Sequence, residues 1–185
     1  RASAWLAGVE TQARAQVTQV VVAQAAEQLA VDAQREHAAN VERVAAGMPE
    51  QAGFSRFVFP EHVAYAEISA AMRWSPRTGE ARALEAEELT TTWKPLLDAM
   101  LAGSVTIDHA RAIGRELRHL PGYGSSDPTE QATYAKHCAR ILKIVVVFAA
   151  THTPGRSAKK TALLVTAADP AGARARRRKA AERDH

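Results

Sequence analysis

Four times in this chain a residue with a short polar side chain is followed at once by proline: Ser75-Pro76, Asp127-Pro128, Thr153-Pro154 and Asp169-Pro170. Proline suits the first position of a helix, where its missing N–H would have no intrahelical partner. A preceding Ser, Thr or Asp can accept from the free amides of the first turn. Each pair therefore predicts a helix start. Asp127 also has Glu130 three residues on, the spacing of a reciprocal capping box with Asp in place of Ser or Thr. With at least four such starts and no stretch of sustained period-two alternation, the chain is expected to be all-α.

Breakers and periodicity place the other helices. No Gly or Pro occurs between Val9 and Ala46, which predicts one long helix or two abutting ones, with Val17, Val20, Val21, Gln24, Gln28 and Val31 as its weakly apolar stripe. Gly47 to Pro60 reads as a linker whose Phe54, Phe57 and Phe59 pin it to the core. Helices are expected from about Pro60 to Met72, Pro76 to Leu89, Thr92 to Ala102 (closed by Gly103) and Thr106 to Leu120 (closed by Pro121), and from Pro128, Pro154 and Pro170. The expected architecture is a multi-helix bundle with a long N-terminal helix and a helix-turn-helix-like pair in the middle. Alanine is the commonest residue, so much of the apolar content buries little area per residue while favouring helix. Three segments follow: 1–60, the long helix and linker; 61–168, a helical domain; and 169–185, a basic helical tail.

The net charge of +4 is unevenly distributed. From Pro154 onward nine basic residues meet three acidic ones, so this end carries +6 and residues 1–153 carry −2. The single Cys138 excludes an intramolecular disulfide framework and a cysteine-based zinc cluster, which favours a reducing cytoplasm. The most apolar run, Ile141 to Ala150, contains Lys143. It has about half of the roughly 20 residues that a membrane span needs. No signal peptide or membrane partner is expected. Arg1 at one end, and a helical pattern still running at His185 at the other, read as the ends of a fragment or truncated chain.

Three stretches bear on chemistry. Val63 to Leu89 is similar to a helix-turn-helix: Ile68, Met72 and Trp74 occupy positions that bury in the first helix and turn, and Ser75-Pro76-Arg77-Thr78 opens the second helix. Gly79 and Arg82 stand where that helix should turn apolar residues inward, leaving the packing to Ala81, Leu84 and Leu89. Arg77 and Arg82 are also outnumbered by Glu80, Glu85, Glu87 and Glu88, a charge that repels phosphates. A plain antiparallel helix pair is the competing reading.

The tail is the densest basic patch. Arg174, Arg176, Arg177, Arg178, Lys179 and Arg183 would spread round a helix that can lie along phosphates, or that serves only as a solvated connector. The seven histidines form no pair four apart and no H-E-x-x-H arrangement. No Gly-rich phosphate loop, nucleophile elbow or paired-carboxylate constellation occurs. Neither a cofactor nor a metal site nor a catalytic residue is expected. Asp108-His109 has the opening residues of an HNH nuclease motif, but an amphipathic helix follows it in place of the motif's Asn and second His.

The run Trp74-Ser-Pro-Arg-Thr-Gly-Glu-Ala-Arg, followed by Leu96-Leu-Asp-Ala-Met-Leu-Ala-Gly-Ser-Val-Thr-Ile-Asp-His-Ala-Arg-Ala-Ile, resembles the actinobacterial 13E12-repeat family, the helical domain of unknown function number 222. Gly103, Ile107, His109, Ala110, Arg111 and Ile113 follow that family's motif position by position, and the basic run after Ala173 resembles a segment the family carries. The resemblance implies a helical module that commonly precedes an HNH endonuclease domain. That nuclease domain is expected to be absent from this chain, so none of its metal-binding or catalytic residues transfers. His109, in the first turn of a helix capped by Thr106, is expected to pack or hydrogen-bond to a neighbouring helix rather than to catalyse.

Together these features lead to a non-catalytic helical module of an HNH-endonuclease-type, mobile-element-associated protein, holding DNA through its basic tail. Two alternatives stand beside it. One is a protein-interaction or homo-oligomerisation module that pairs through the N-terminal helix. The other is the remnant of a metal-dependent HNH endonuclease.

Overall fold

A computed structural model describes residues 2–53, 55 and 58–183, and it is helical throughout with no strand among them. The helices are α1 (Ala2–Ala45), α2 (Pro60–Ala71), α3 (Pro76–Thr90), α4 (Lys94–Leu101), α5 (Ile107–Leu117), α6 (Pro128–Ala149), α7 (Pro154–Ala168) and α8 (Pro170–Arg183). All four cap–proline pairs work as expected. Ser75 Oγ accepts from the Thr78 N–H at 3.2 Å, Asp127 Oδ1 from Thr129 at 2.8 Å, Thr153 Oγ1 from Arg156 at 3.5 Å and Asp169 Oδ1 from Gly172 at 2.9 Å.

The capping box expected at Asp127 does not form with Glu130. The loop before α6 brings Ser125 close enough for its Oγ to take the Asp127 N–H at 3.1 Å, so that donor is already satisfied. The reciprocal box occurs instead at α5, between Thr106 and His109. The start of α4 also lies two residues later than expected, because Pro95 has no N–H to donate back to Thr91 and fits only in the first turn.

Contacts divide the chain into two compact units, and the first is discontinuous: residues 1–11 with 88–185, against residues 12–87. The discontinuous unit holds the main core. Leu89, Trp93, Leu96, Leu97, Met100, Val105, Ile113, Leu117, Leu142 and Val145 are buried together. Each large side chain contributes about 1.5–3 kcal/mol of transfer free energy. α5 presents Ala110, Ile113 and Leu117 at the spacing of one helix face, and α6 presents Tyr134, Cys138, Ile141, Leu142 and Val145. α7 lies against both through Ser157, Thr161 and Val165. Its two hydroxyls donate to carbonyls one turn back, Ser157 to Thr153 and Thr161 to Ser157, so their burial leaves neither unpaired.

Gly103 closes α4 as expected. At φ +70° it occupies the left-handed position that a side chain would strain. The Gly103 N–H returns to Met100 O, and the Ser104 N–H returns to Ala99 O. Trp93 donates from Nε1 to Tyr134 Oη at 3.1 Å, and the Arg118 guanidinium lies 5.4 Å above the indole while pairing with Glu88.

In the unit of residues 12–87, α1 is a single helix, but its buried side is not the valine stripe. Ala15 and Ala25 are buried, Thr18, Val21, Val22 and Leu29 are half-buried, and Val17, Val20, Gln24, Gln28 and Val31 are exposed. Alanines let neighbouring backbones approach closely, and the larger side chains on that side, Val22 and Leu29, are covered only in part.

The α2–α3 pair differs from expectation for the same reason. Ile68 is buried, whereas Met72 is exposed, and so are Ala81 and Leu84. The inward face of α3 is Gly79, Ala83 and Ala86, continuing to Leu89. A Cβ on Gly79 would collide with Ser69 Oγ, so α3 crosses α2 with backbone against side chain at van der Waals contact. The turn between them ends α2 with Arg73 at φ +54°, and Trp74 donates back to Ser69 O at 2.8 Å. Phe59 is exposed and stands edge-on to His62 rather than in the core; Phe54 and Phe57 lie outside the described residues.

Candidate nucleic-acid interface

The block from Gly103 to Ile113, which carries the family resemblance, is part of the scaffold. Gly103 makes the turn, Ala110 and Ile113 enter the core, Ile107 packs against that core half-buried, and Arg111 is half-buried on the same helix. His109 is buried and makes two connections. Its Nδ1 accepts from the Thr106 N–H at 3.4 Å and lies 2.8 Å from Thr106 Oγ1. Its Nε2 donates to the carbonyl of His152 at 2.7 Å. A carbonyl only accepts, so this contact fixes the Nε2–H tautomer. The first turn of α5 is thereby tied to the α6–α7 turn, far along the chain.

The six tail residues divide. Arg174 is exposed, and Arg178 is exposed with a loose pair to Glu182 at 3.8 Å. Arg176 is bound inward: Nη1 donates to His119 O at 3.0 Å and faces Asp169 Oδ2 at 3.5 Å, while Ala173 is buried one turn earlier. The side chains of Arg177, Lys179 and Arg183 lie outside the described residues. α8 is thus docked on its own unit along one side, and it offers phosphates only a part of its circumference.

A longer basic stretch lies earlier in the chain. From Gln131 to Ala168 there is no Asp or Glu, while Lys136, Arg140, Lys143, Arg156, Lys159 and Lys160 all fall there. Lys136, Arg140, Lys143 and Val147 follow one exposed stripe of α6 at intervals of four, three and four, leading toward the α6–α7 turn. Arg156 and Lys159 are exposed on α7, and Lys160 is half-buried. Among the described residues none of the six forms an ion pair. A search for dense charge passes over this surface because its cations are spaced by alanines and valines. Its signal in the sequence is the long span without a carboxylate.

At that turn the two helices leave a shallow hollow of about 260 Å³, lined by Phe148, His152, Arg156, Lys159, Lys160 and Leu163. Phe148 and His152 are stacked, centroids 3.7 Å apart and planes 9° from parallel. His152 Nδ1 is 2.8 Å from Phe148 O and therefore carries a proton. That leaves Nε2 an acceptor in the neutral ring.

Charge also separates by unit. The discontinuous unit has 17 Lys and Arg against 10 Asp and Glu, a net of +7; residues 12–87 carry −3 and include most of the acidic second helix of the helix-turn-helix-like pair. In that acidic unit a cleft of about 360 Å³ is lined mostly by small α1 side chains together with Tyr65, Glu61 and Glu87. Burial raises the Tyr65 phenol above its ordinary range, and the charges of Glu87, Glu61 and Glu80 add to this. Among the described residues no three of His, Cys, Asp or Glu cluster around a point a metal ion could occupy, and no helix is long and apolar enough to cross a membrane. No protein-family model, curated protein or solved structure matches the chain.

Proposed function

We propose that this chain is a non-catalytic, all-helical module that holds DNA in the cytoplasm, of the kind that accompanies an HNH endonuclease in the 13E12-repeat family it resembles. The observation that carries the reading is the carboxylate-free span of α6 and α7, with six cations outside any ion pair among the described residues, on the unit of charge +7. Phosphate neutralisation supplies most non-specific DNA affinity, and it needs cations without competing carboxylates. Arg174 and Arg178 of α8 extend the same charge, whereas Arg176 serves the fold.

Mobility-shift titration of the chain on duplex DNA at several salt concentrations tests this. Engagement of about five phosphates gives a slope of log K against log salt of about −4 to −5. Replacing Arg140, Lys143, Lys159 and Lys160 with alanine is expected to weaken binding more than removing the exposed charges of α8. Absence of binding at low salt overturns the reading. Incubation with Mg²⁺ or Mn²⁺ is expected to leave the DNA uncut, and cleavage would favour the nuclease remnant instead.

A second reading, self-association, draws on α1. Val17, Val20, Val31, Val41 and Val44 are exposed along it, an unusual number of β-branched apolar side chains for a helix turned to water. Light scattering that gives a strict monomer even in concentrated solution would remove this reading.

A further inference from the structure

Arg156, Lys159 and Lys160 explain attraction to a phosphate backbone, but not why an aromatic stack and an exposed leucine line the same hollow. We propose that the hollow at the α6–α7 turn is a seat for an unpaired base: one nucleobase of a single strand lies against the Phe148–His152 stack, with its flanking phosphates on Arg156, Lys159 and Lys160. This rests on the nucleic-acid reading and sharpens it from duplex DNA to an unpaired nucleotide within it.

Three observations meet at this place. The two rings are already stacked face to face, 3.7 Å apart and 9° from parallel, so each holds the other in place and a third planar ring would extend the stack from an outer face. The hollow is mixed in character, with Leu163 69% exposed and cations from successive turns of α7 around it. Single-strand binders use that combination, a cationic track beside a ring that accepts any base. At about 260 Å³ the hollow is also smaller than the clefts that enclose a drug-sized ligand, which suits one ring laid on a surface.

The platform is held from behind as well. His152 Nδ1 bonds to Phe148 O and fixes the imidazole against the phenyl ring, while the His152 carbonyl accepts from buried His109. His109 thus acts as a positioning residue for the turn that carries the stack. With the proton on Nδ1, His152 Nε2 is left as an acceptor, open to the ring N–H of thymine or the exocyclic amine of adenine or cytosine.

Fluorescence anisotropy on the full chain tests the seat with three labelled probes of equal length: oligo(dT), the same strand with abasic sites in place of its bases, and a blunt duplex. Stacking of one base is worth about 1–3 kcal/mol, so the intact strand is expected to bind about fivefold or more tightly than the abasic strand. It is also expected to bind more tightly than the duplex. His152→Ala, which keeps the backbone carbonyl that His109 uses, is expected to bring the intact strand down to the abasic value and leave the abasic affinity unchanged. Lys159→Ala with Lys160→Ala is expected to lower both alike.

Equal binding of intact and abasic strands by the unaltered chain overturns the base seat while leaving phosphate binding in place. No binding of any probe at low salt overturns both. A base preference that survives in His152→Ala, with its fold checked by circular dichroism, moves the contact elsewhere and also overturns the proposal. The comparison of intact with abasic strand needs no variant, so it decides even if His152→Ala fails to fold.

Discussion

Arg73 and His109 show how much a single position can hold. Arg73 ends α2 at φ +54°, where L side chains are strained and glycine is at ease. Gly103 does the same work at the end of α4. Arg73→Gly is expected to stabilise the fold by about 0.5–1 kcal/mol in urea denaturation, the relief of strain exceeding the added freedom of the unfolded chain. His109→Ala removes the side-chain half of the α5 capping box and the bond to the His152 carbonyl, while the Thr106 cap on the backbone N–H remains. In the same assay it is expected to cost about 2–3 kcal/mol, since an acceptor turned into the fold is left unpaired.

Cys138 is buried against Tyr134, and burial pushes its thiol up to about 11. Tyr134 is raised too, chiefly by burial. Both groups are held neutral in the fold, so the unfolded chain ionises first. Stability is therefore full below about pH 9 and falls as pH rises from there toward 11. Thermal melts across that window, and thiol labelling that waits for denaturant, check both points. Labelling in mildly alkaline native buffer as fast as in denaturant would contradict them.

Between neighbouring elements, local chemistry and packing made different contributions. Where the start of a helix depends on a cap and a proline, sequence neighbours suffice, and all four expected starts are realised. The cost of losing one is correspondingly local: Thr153→Ala or Asp127→Ala is expected to destabilise by about 1 kcal/mol, read from the shift of the urea midpoint. Which face of a helix is buried depends instead on what lies opposite. Apolarity singles out the valines of α1, yet the apolar side chains it buries are Ala4, Ala15 and Ala25, because close approach favours small side chains over large ones. Gly79, which counts against a helix-turn-helix by the same apolar logic, is the residue that admits α3 to α2. Gly79→Val is therefore expected to cost several kcal/mol or to abolish folding of that pair, although glycine is the weaker helix former.

For the molecule as a whole, the net charge of +4 conceals a division between +7 on one unit and −3 on the other. That division puts the basic surface on α6 and α7 and leaves the helix-turn-helix-like pair mostly in the acidic unit. Duplex or single-strand affinity is accordingly expected to respond to alanine at Arg140, Lys143, Lys159 and Lys160, and to be almost unchanged by alanine at Arg77, with anisotropy at low salt as the measurement. Equal losses at the two places would return the recognition role to α3.

Caps, prolines and left-handed glycines act within a few residues of chain, so the helical class, the four helix starts at cap–proline pairs and the turn at Gly103 were legible before any helix was packed. Packing was needed to reveal that His109 supports the turn carrying His152 and that Arg176 is bound to the fold. It was needed again to show that Arg156, Lys159 and Lys160 of α7 line one hollow with an aromatic stack. Those outcomes depend on contacts between residues far apart in the chain, and linear spacing carries no information about such contacts until the helices have come together.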